Sequence, residues 1–190
     1  MNQRAKPSAP GSVRIIAGHL RGSKLPVSDR PGLRPTSDRV RETLFNWLQP
    51  RLPGARVLDL FAGTGALGFE AASRGAGEVL LVERDPDLAR SLREQATRLK
   101  VDRMRVLAED AVAWLGRTPD QAFDLVFLDP PFAAGLWQPA AAALAPWLAP
   151  GALMYVECPR NVAPSLPASW QLHREGETRD VRYALYRAGG

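Results

Sequence analysis

Asp129-Pro130-Pro131-Phe132 closes an apolar run, Phe123-Asp124-Leu125-Val126-Phe127-Leu128, whose length and composition predict a buried parallel strand. A carboxylate, two prolines and an aromatic ring at a strand's carboxyl end make a rigid acceptor edge beside a stacking surface. The prolines keep their carbonyls, lack N–H donors and fix φ. A planar exocyclic amine needs that combination: acceptors for two N–H bonds and a ring to lie against. Asp129 and Pro130 are the expected acceptors, Pro131 stiffens the edge, and Phe132 is the expected stacking ring. An aromatic after a strand can also be plain core, so Phe132 carries two readings until its exposure is known.

A second constellation lies upstream, in Val57-Leu58-Asp59-Leu60-Phe61-Ala62-Gly63-Thr64-Gly65-Ala66-Leu67-Gly68. Gly63, Gly65 and Gly68 satisfy G-x-G-x-x-G after a short apolar strand, and Glu83 follows Gly63 by 20 residues at the end of Val79-Leu80-Leu81-Val82. Read alone, this is a dinucleotide fingerprint. Asp59, four residues before Gly63, argues otherwise, because a pyrophosphate there would meet a negative charge. A ligand bearing an ammonium and a sulfonium fits better. S-adenosylmethionine has no phosphate, its carboxylate can use a helix N-terminus, and its ammonium can use Asp59. Glu83 would then accept from the ribose hydroxyls. The plainer alternative is that Asp59 caps the turn and Glu83 is a solvated strand end.

The elements that must position these groups alternate. Strands are predicted near 57–60, 79–83, 104–108, 123–128 and 152–157, with helices near 66–74, 86–100, 110–116 and 138–148. Residues 170–175 and 181–187 flank Gly176 and read as a terminal antiparallel pair. Such a sheet gathers ligands beyond its strands' carboxyl ends, where strand order reverses, and Asp59, Glu83, Glu109-Asp110 and Asp129 all fall there. Before this unit, 13–17 and 23–27 read as a short hairpin. Ser37 is a candidate N-cap for a helix with Val40, Leu44, Trp47 and Leu48 on its inner face and Arg39 and Arg41 outside. The expected organisation is a disordered tail at 1–12, a basic hairpin and helix at 13–51 as an extension that covers the ligand crevice, and the α/β domain that carries the glycine loop and the acceptor edge at 52–190.

Together these segments resemble a known family. Asp59-x-Phe61-Ala62-Gly63-Thr64-Gly65 with Asp129-Pro130-Pro131-Phe132 looks like the class I amino-methyltransferases acting on exocyclic nitrogens of nucleobases. Arg14-Ile15-Ile16-Ala17-Gly18, Arg21-Gly22-x-Lys24-Leu25 and the stretch from Gly32-Leu33-Arg34-Pro35-Thr36 to Leu48 resemble the bacterial 16S ribosomal RNA guanine-N2 methyltransferases, which modify the guanine conventionally numbered 966. The likeness continues through Tyr155-Val156-Glu157 and Leu172-His173-Arg174-Glu175. It implies an α/β, seven-stranded Rossmann-like class I methyltransferase sheet with its last strand antiparallel. It implies S-adenosyl-L-methionine as cofactor, held by Asp59, Phe61, Gly63, Gly65, Glu83, Arg84, Asp110, Ala111 and Thr36. The substrate it implies is 16S rRNA within a small-subunit ribonucleoprotein particle, with Arg14, Arg21, Lys24, Arg34, Arg39 and Arg41 as RNA-binding candidates. Asp110 has a second reading as the N-cap of the helix that follows.

Charge agrees with a polyanionic partner. Residues 1–51 hold 10 Lys+Arg against 3 Asp+Glu, a net of +7, whereas residues 52–190 hold 15 against 17, a net of −2. Arginine outnumbers lysine 22 to 3, a bias that gene composition can produce; it does not explain why the excess sits in the first quarter. A single cysteine, Cys158, excludes a disulfide framework and a cysteine-rich zinc site, and it leaves no cysteine placed for pyrimidine C5 methylation. His19 and His173 are isolated, so no metal site or hydrolytic triad is expected. No Walker lysine follows the glycine loop. With no apolar span and no signal-like start, a cytoplasmic monomer away from membranes is the expectation. Two other classes remain open: an amino-methyltransferase on adenine N6 of DNA or RNA or on a protein glutamine, and a non-catalytic RNA-binding assembly factor.

Overall fold

The computed structural model describes residues 11–28 and 36–189. Its centre is a seven-stranded sheet made of β3 (Arg56–Asp59), β4 (Glu78–Glu83), β5 (Met104–Ala108), β6 (Phe123–Leu128), β7 (Leu148–Pro159), β8 (Trp170–Glu177) and β9 (Val181–Ala188), in the order β5-β4-β3-β6-β7-β9-β8. Strand β9 runs antiparallel to both neighbours, and every other pair of adjacent strands is parallel. The order reverses between β3 and β6. Asp59, at the end of β3, and Asp129, just past β6, therefore flank one crevice.

Alternation along each strand assigns the two faces. Val57, Val79, Leu81, Leu125, Phe127, Leu153 and Tyr155 enter one core, packed under α1 (Asp38–Leu48), α2 (Ala66–Ser73) and α3 (Pro86–Arg98). Leu58, Leu80, Val82, Val126, Leu128 and Met154 enter the other, under α4 (Ala111–Leu115) and α5 (Trp137–Ala143). Gly68 lets α2 approach this closely, since a Cβ there would stand 2.3 Å from a Leu81 methyl. The predicted helix over 138–148 ends earlier, because Pro146 turns residues Ala145–Trp147 into a 3-10 segment; β7 then begins at Leu148, ahead of its predicted start.

The amino-terminal segment shares the sheet's core. Strands β1 (Ser12–Arg14) and β2 (Lys24–Pro26) form the expected hairpin, and Ile15, Leu20 and Leu25 pack with α1 and α2. Backbone N–H groups of Ile16 and Ala17 donate to the Glu70 carboxylate at 2.7 and 3.0 Å, and that of Leu20 donates to Ser73 Oγ at 2.9 Å. Ser37 caps α1 as expected, its hydroxyl accepting from Val40 N–H at 3.3 Å. Trp47 is only partly buried and stacks on Tyr183, centroids 5.6 Å apart, while Phe45 takes the inner position against Phe127.

Arg41 departs from the sequence reading. Placed on the outer face as an RNA contact, it is instead fully buried, donating to the Arg14 carbonyl at 2.9 Å and to Asp38 at 2.6 Å, with Glu70 at 3.7 Å. A buried guanidinium so enclosed cannot reach a phosphate. The physical reason is helical spacing. Arg41 precedes Phe45 by four residues and Leu48 by seven, on the inward stripe.

Candidate active site

The carboxyl end of β6 delivers Asp129 into the crevice on the α1 side, the side to which Phe127 points. Thr36, buried immediately before α1, donates its hydroxyl to Asp129 Oδ2 at 3.3 Å. Thr36 thus meets the amine-acceptor edge, a contact that the expectation of a cofactor-covering residue did not foresee. Pro130 is buried and Pro131 exposed. The Pro131 carbonyl accepts from Ala134 N–H at 2.9 Å, and among the described residues the Pro130 carbonyl accepts no hydrogen bond. That leaves it available as the second acceptor. Phe132 is 38% exposed, a large apolar ring facing solvent, with Trp137 behind it at a centroid distance of 6.0 Å. The plain-core reading of Phe132 fails on that exposure.

Two further side chains belong to this edge and were not singled out as site residues from the sequence. The pairing Phe127↔Tyr155 puts Tyr155 and Glu157 of β7 on the same face as Phe127 and Asp129. The buried Tyr155 hydroxyl donates to Glu157 Oε2 at 2.6 Å, and Trp137 Nε1 donates to the Glu157 carbonyl at 2.9 Å. Burial, then the Glu157 and Asp59 carboxylates, push Asp129 well above the ordinary carboxylate range, with the Thr36 hydroxyl opposing. Burial and Glu157 likewise push the Tyr155 phenol up. Strict i, i+2 alternation at the end of the fifth predicted strand was the available signal for Glu157.

The glycine loop joins β3 to α2. Gly63 and Gly65 take positive φ, 53° and 76°, and Gly65 is the N-cap of α2. Asp59 is buried and accepts from Gly68 N–H at 3.2 Å and from Phe61 N–H. Burial outweighs those bonds, and with help from Glu83 it raises the Asp59 pKa to about 7. Among the described residues no lysine or arginine pairs with it. A desolvated carboxylate beside a second one fits a cationic ligand and rejects a pyrophosphate, so the residues suit S-adenosylmethionine. Glu83 accepts from Gly63 N–H at 2.9 Å and Asp85 N–H at 2.8 Å, which fixes its carboxylate beside the loop.

Around this loop, Phe61 is partly buried, Ala111 buried and Arg84 exposed. Asp110 caps α4, accepting from Ala113 N–H at 3.0 Å, so its capping role is real. Of the expected RNA contacts, Arg14, Arg21, Lys24 and Arg39 are exposed. Arg34 lies outside the described residues.

The strand order, the glycine loop after β3, the acidic end of β4 and the acceptor edge after β6 define a class I S-adenosylmethionine-dependent methyltransferase. A family model described as conserved hypothetical protein 95 matches residues 13–187. Ribosomal RNA small subunit methyltransferase D of Escherichia coli strain K12 is 48% identical over 184 residues, 94% of this chain and 91% of that protein. The protein of the same name from Haemophilus influenzae is 45% identical over 95% of this chain and 96% of its own. A solved structure, a putative methyltransferase yhhF from Escherichia coli, superposes with a TM-score of 0.87 at 44% identity, covering 95% of this chain and 99% of that one. The chain belongs to the ribosomal RNA small subunit methyltransferase D family.

Proposed function

We propose that the protein transfers a methyl group from S-adenosylmethionine to the exocyclic N2 amine of one guanine in 16S ribosomal RNA of the small ribosomal subunit, the guanine conventionally numbered 966. The observation that carries this reading is the acceptor edge itself: Asp129 held by Thr36, an unengaged Pro130 carbonyl, and Phe132 exposed beside them. The ribosomal RNA named in the relatives' own descriptions supports the choice of substrate.

When bound, S-adenosylmethionine supplies an electrophilic methyl group on a sulfonium. Asp59 would hold its ammonium, the Gly63–Gly65 loop and the start of α2 its carboxylate, Glu83 its ribose and Asp110 its adenine amine; Phe61, Arg84 and Ala111 border the same loops. The guanine N2 lone pair is delocalised into the ring and is a poor nucleophile while planar. Asp129 and the Pro130 carbonyl, by accepting its two N–H bonds, favour the pyramidal geometry and aim the lone pair. As the new N–C bond forms and the methyl–sulfonium bond breaks, the nitrogen would become acidic and Asp129 would take one proton. Its raised proton affinity suits that step. Phe132 stacks on a base withdrawn from its RNA surroundings.

No helix among the described residues is long and apolar enough to cross a membrane. We place the protein in the cytoplasm as a monomer, acting on a protein-bearing particle, with residues 13–51 contributing RNA contacts. The test is incubation with labelled S-adenosylmethionine and small subunits from cells lacking this enzyme, followed by nucleoside digestion. N2-methylguanosine as the single labelled product is expected. Label in another nucleoside, or cofactor binding without label in RNA, would overturn the proposal.

A further inference from the structure

Away from the crevice, three arginines crowd one corner of the sheet. Arg187, near the end of β9, pairs with Leu153 of β7 on one side and Gln171 of β8 on the other. It lies four residues beyond Tyr183, the partner of Glu157, so it sits roughly 13 Å down the strand from the acceptor edge. Arg174 of β8 pairs with Leu185, and a register shift between Leu172 and Arg174 makes His173 a bulged residue. Leu185 and Leu153 both enter the core beneath α1, so Arg174 and Arg187 emerge on the α1 face. Arg51, just past α1, reaches the same corner, with Nη2 donating to the Gly151 carbonyl at 3.0 Å.

Edge strands carry charge to discourage pairing with other chains, and that duty explains part of β8. Its two carboxylates, Glu175 and Glu177, are each paired with an arginine, at 2.7 Å to Arg182 and 2.9 Å to Arg160. Arg51, Arg174 and Arg187 are exposed, and among the described residues none has a carboxylate within ion-pair distance. Slight burial, then the charges of Arg187, Arg174 and Arg51, hold the His173 imidazole below its ordinary value. Two of the three come from the portion of the chain whose net charge is −2, which is why charge counting by segment missed them.

We propose that Arg51, Arg174 and Arg187 form a second phosphate-binding surface that holds the sugar–phosphate backbone of structured ribosomal RNA, apart from the amino-terminal arginines and the acceptor edge. The inference rests on the ribosomal RNA reading above. Unpaired, closely spaced guanidiniums on a pleated face match a phosphate backbone, where each neutralised phosphate releases counterions. Such contacts fix orientation and carry no sequence information.

The test uses the full chain and unmethylated small subunits, comparing wild type with Arg51→Glu/Arg174→Glu/Arg187→Glu and with the milder Arg174→Gln/Arg187→Gln. KM for subunits should rise on the order of tenfold in the triple variant with kcat unchanged. The slope of log affinity against log salt should become shallower by about three in the triple variant and about two in the double. The double variant keeps Arg51 and its bond to Gly151, so it reads the surface even where the triple variant fails to fold. Unchanged KM and slope in a folded variant would overturn the proposal. So would lost affinity for the particle with unaltered affinity for naked 16S RNA, which would assign the corner to a ribosomal protein. Wild-type protein that methylates no subunit would strike the ribosomal RNA reading itself, and is distinguished because it precedes any effect of substitution.

Discussion

Asp59 and Asp129 are the same side chain at neighbouring strand ends, and burial raises the proton affinity of both. Their uses differ because their neighbours differ. Asp59 faces backbone N–H groups and is proposed to face a ligand cation; Asp129 faces the Thr36 hydroxyl and is proposed to face an incoming amine. With Asp59 near 7 in the protein and 3.8 when unfolded, the folded state binds the extra proton between those values. Its contribution to stability is therefore present at low pH and lost as pH rises toward 7. Asp59→Asn should gain on wild type by up to about 1.4 kcal/mol per pH unit over that interval and level off above it. Urea melts from pH 4 to 8 measure this, and a constant difference would refute the burial argument. The same substitution should abolish cofactor binding and its dependence on pH, since only the carboxylate pairs with an ammonium. Asp129→Ala should lower kcat at least roughly 10²–10³-fold while leaving cofactor affinity within a few-fold. Single-turnover methylation beside calorimetric titration separates these effects, and normal turnover would remove Asp129 from the mechanism.

The elements that carry those residues are held by one buried network. Glu70 of α2, directly after the glycine loop, receives the Ile16 and Ala17 N–H groups, Arg74 at 2.7 Å and Arg41 at 3.7 Å. Hairpin, α1 and α2 meet on that single carboxylate. Glu70→Ala leaves Arg74 Nε and two backbone donors without their acceptor and removes the countercharge beside the buried Arg41, and should cost about 3–5 kcal/mol. Arg74→Ala, at a site nearer the surface, should cost far less. A Glu70→Ala loss under about 1 kcal/mol in chemical denaturation would show the network to be dispensable. Legibility in the sequence follows the same division. Asp59, Gly63, Glu83 and Asp129 could be read because each ends or follows an apolar strand at a spacing that topology translates directly into position. Arg41 could not be read as inward because the Arg14 carbonyl that accepts from it and the Glu70 countercharge lie 27 and 29 residues away. Glu157 was missed as a site residue because its nearness to Asp129 depends on the β6–β7 register, which packing sets.

For the whole molecule, the proposed substrate raises the question of how a chain of 190 residues would find one guanine on a large particle. Its catalytic body is nearly neutral, so orientation must come from charge placed outside the crevice. The amino-terminal quarter supplies a net +7, but part of that charge is spent inside the fold. Arg41 is enclosed, while Arg14, Arg21, Lys24 and Arg39 face solvent. Surface and buried arginines should therefore answer charge reversal in opposite ways. Arg21→Glu and Arg39→Glu should leave the melting temperature unchanged, weaken binding to small subunits, and make the salt slope shallower by about one each. Arg41→Glu should instead prevent stable folding, because it sets a new carboxylate against Glu70 and leaves Asp38 unpaired. Melting curves beside salt-dependent binding isotherms distinguish the two behaviours. If Arg39→Glu bound subunits with wild-type affinity and slope, the amino-terminal charge would have to be credited to solubility, and recognition would fall to shape and to the sheet's far corner.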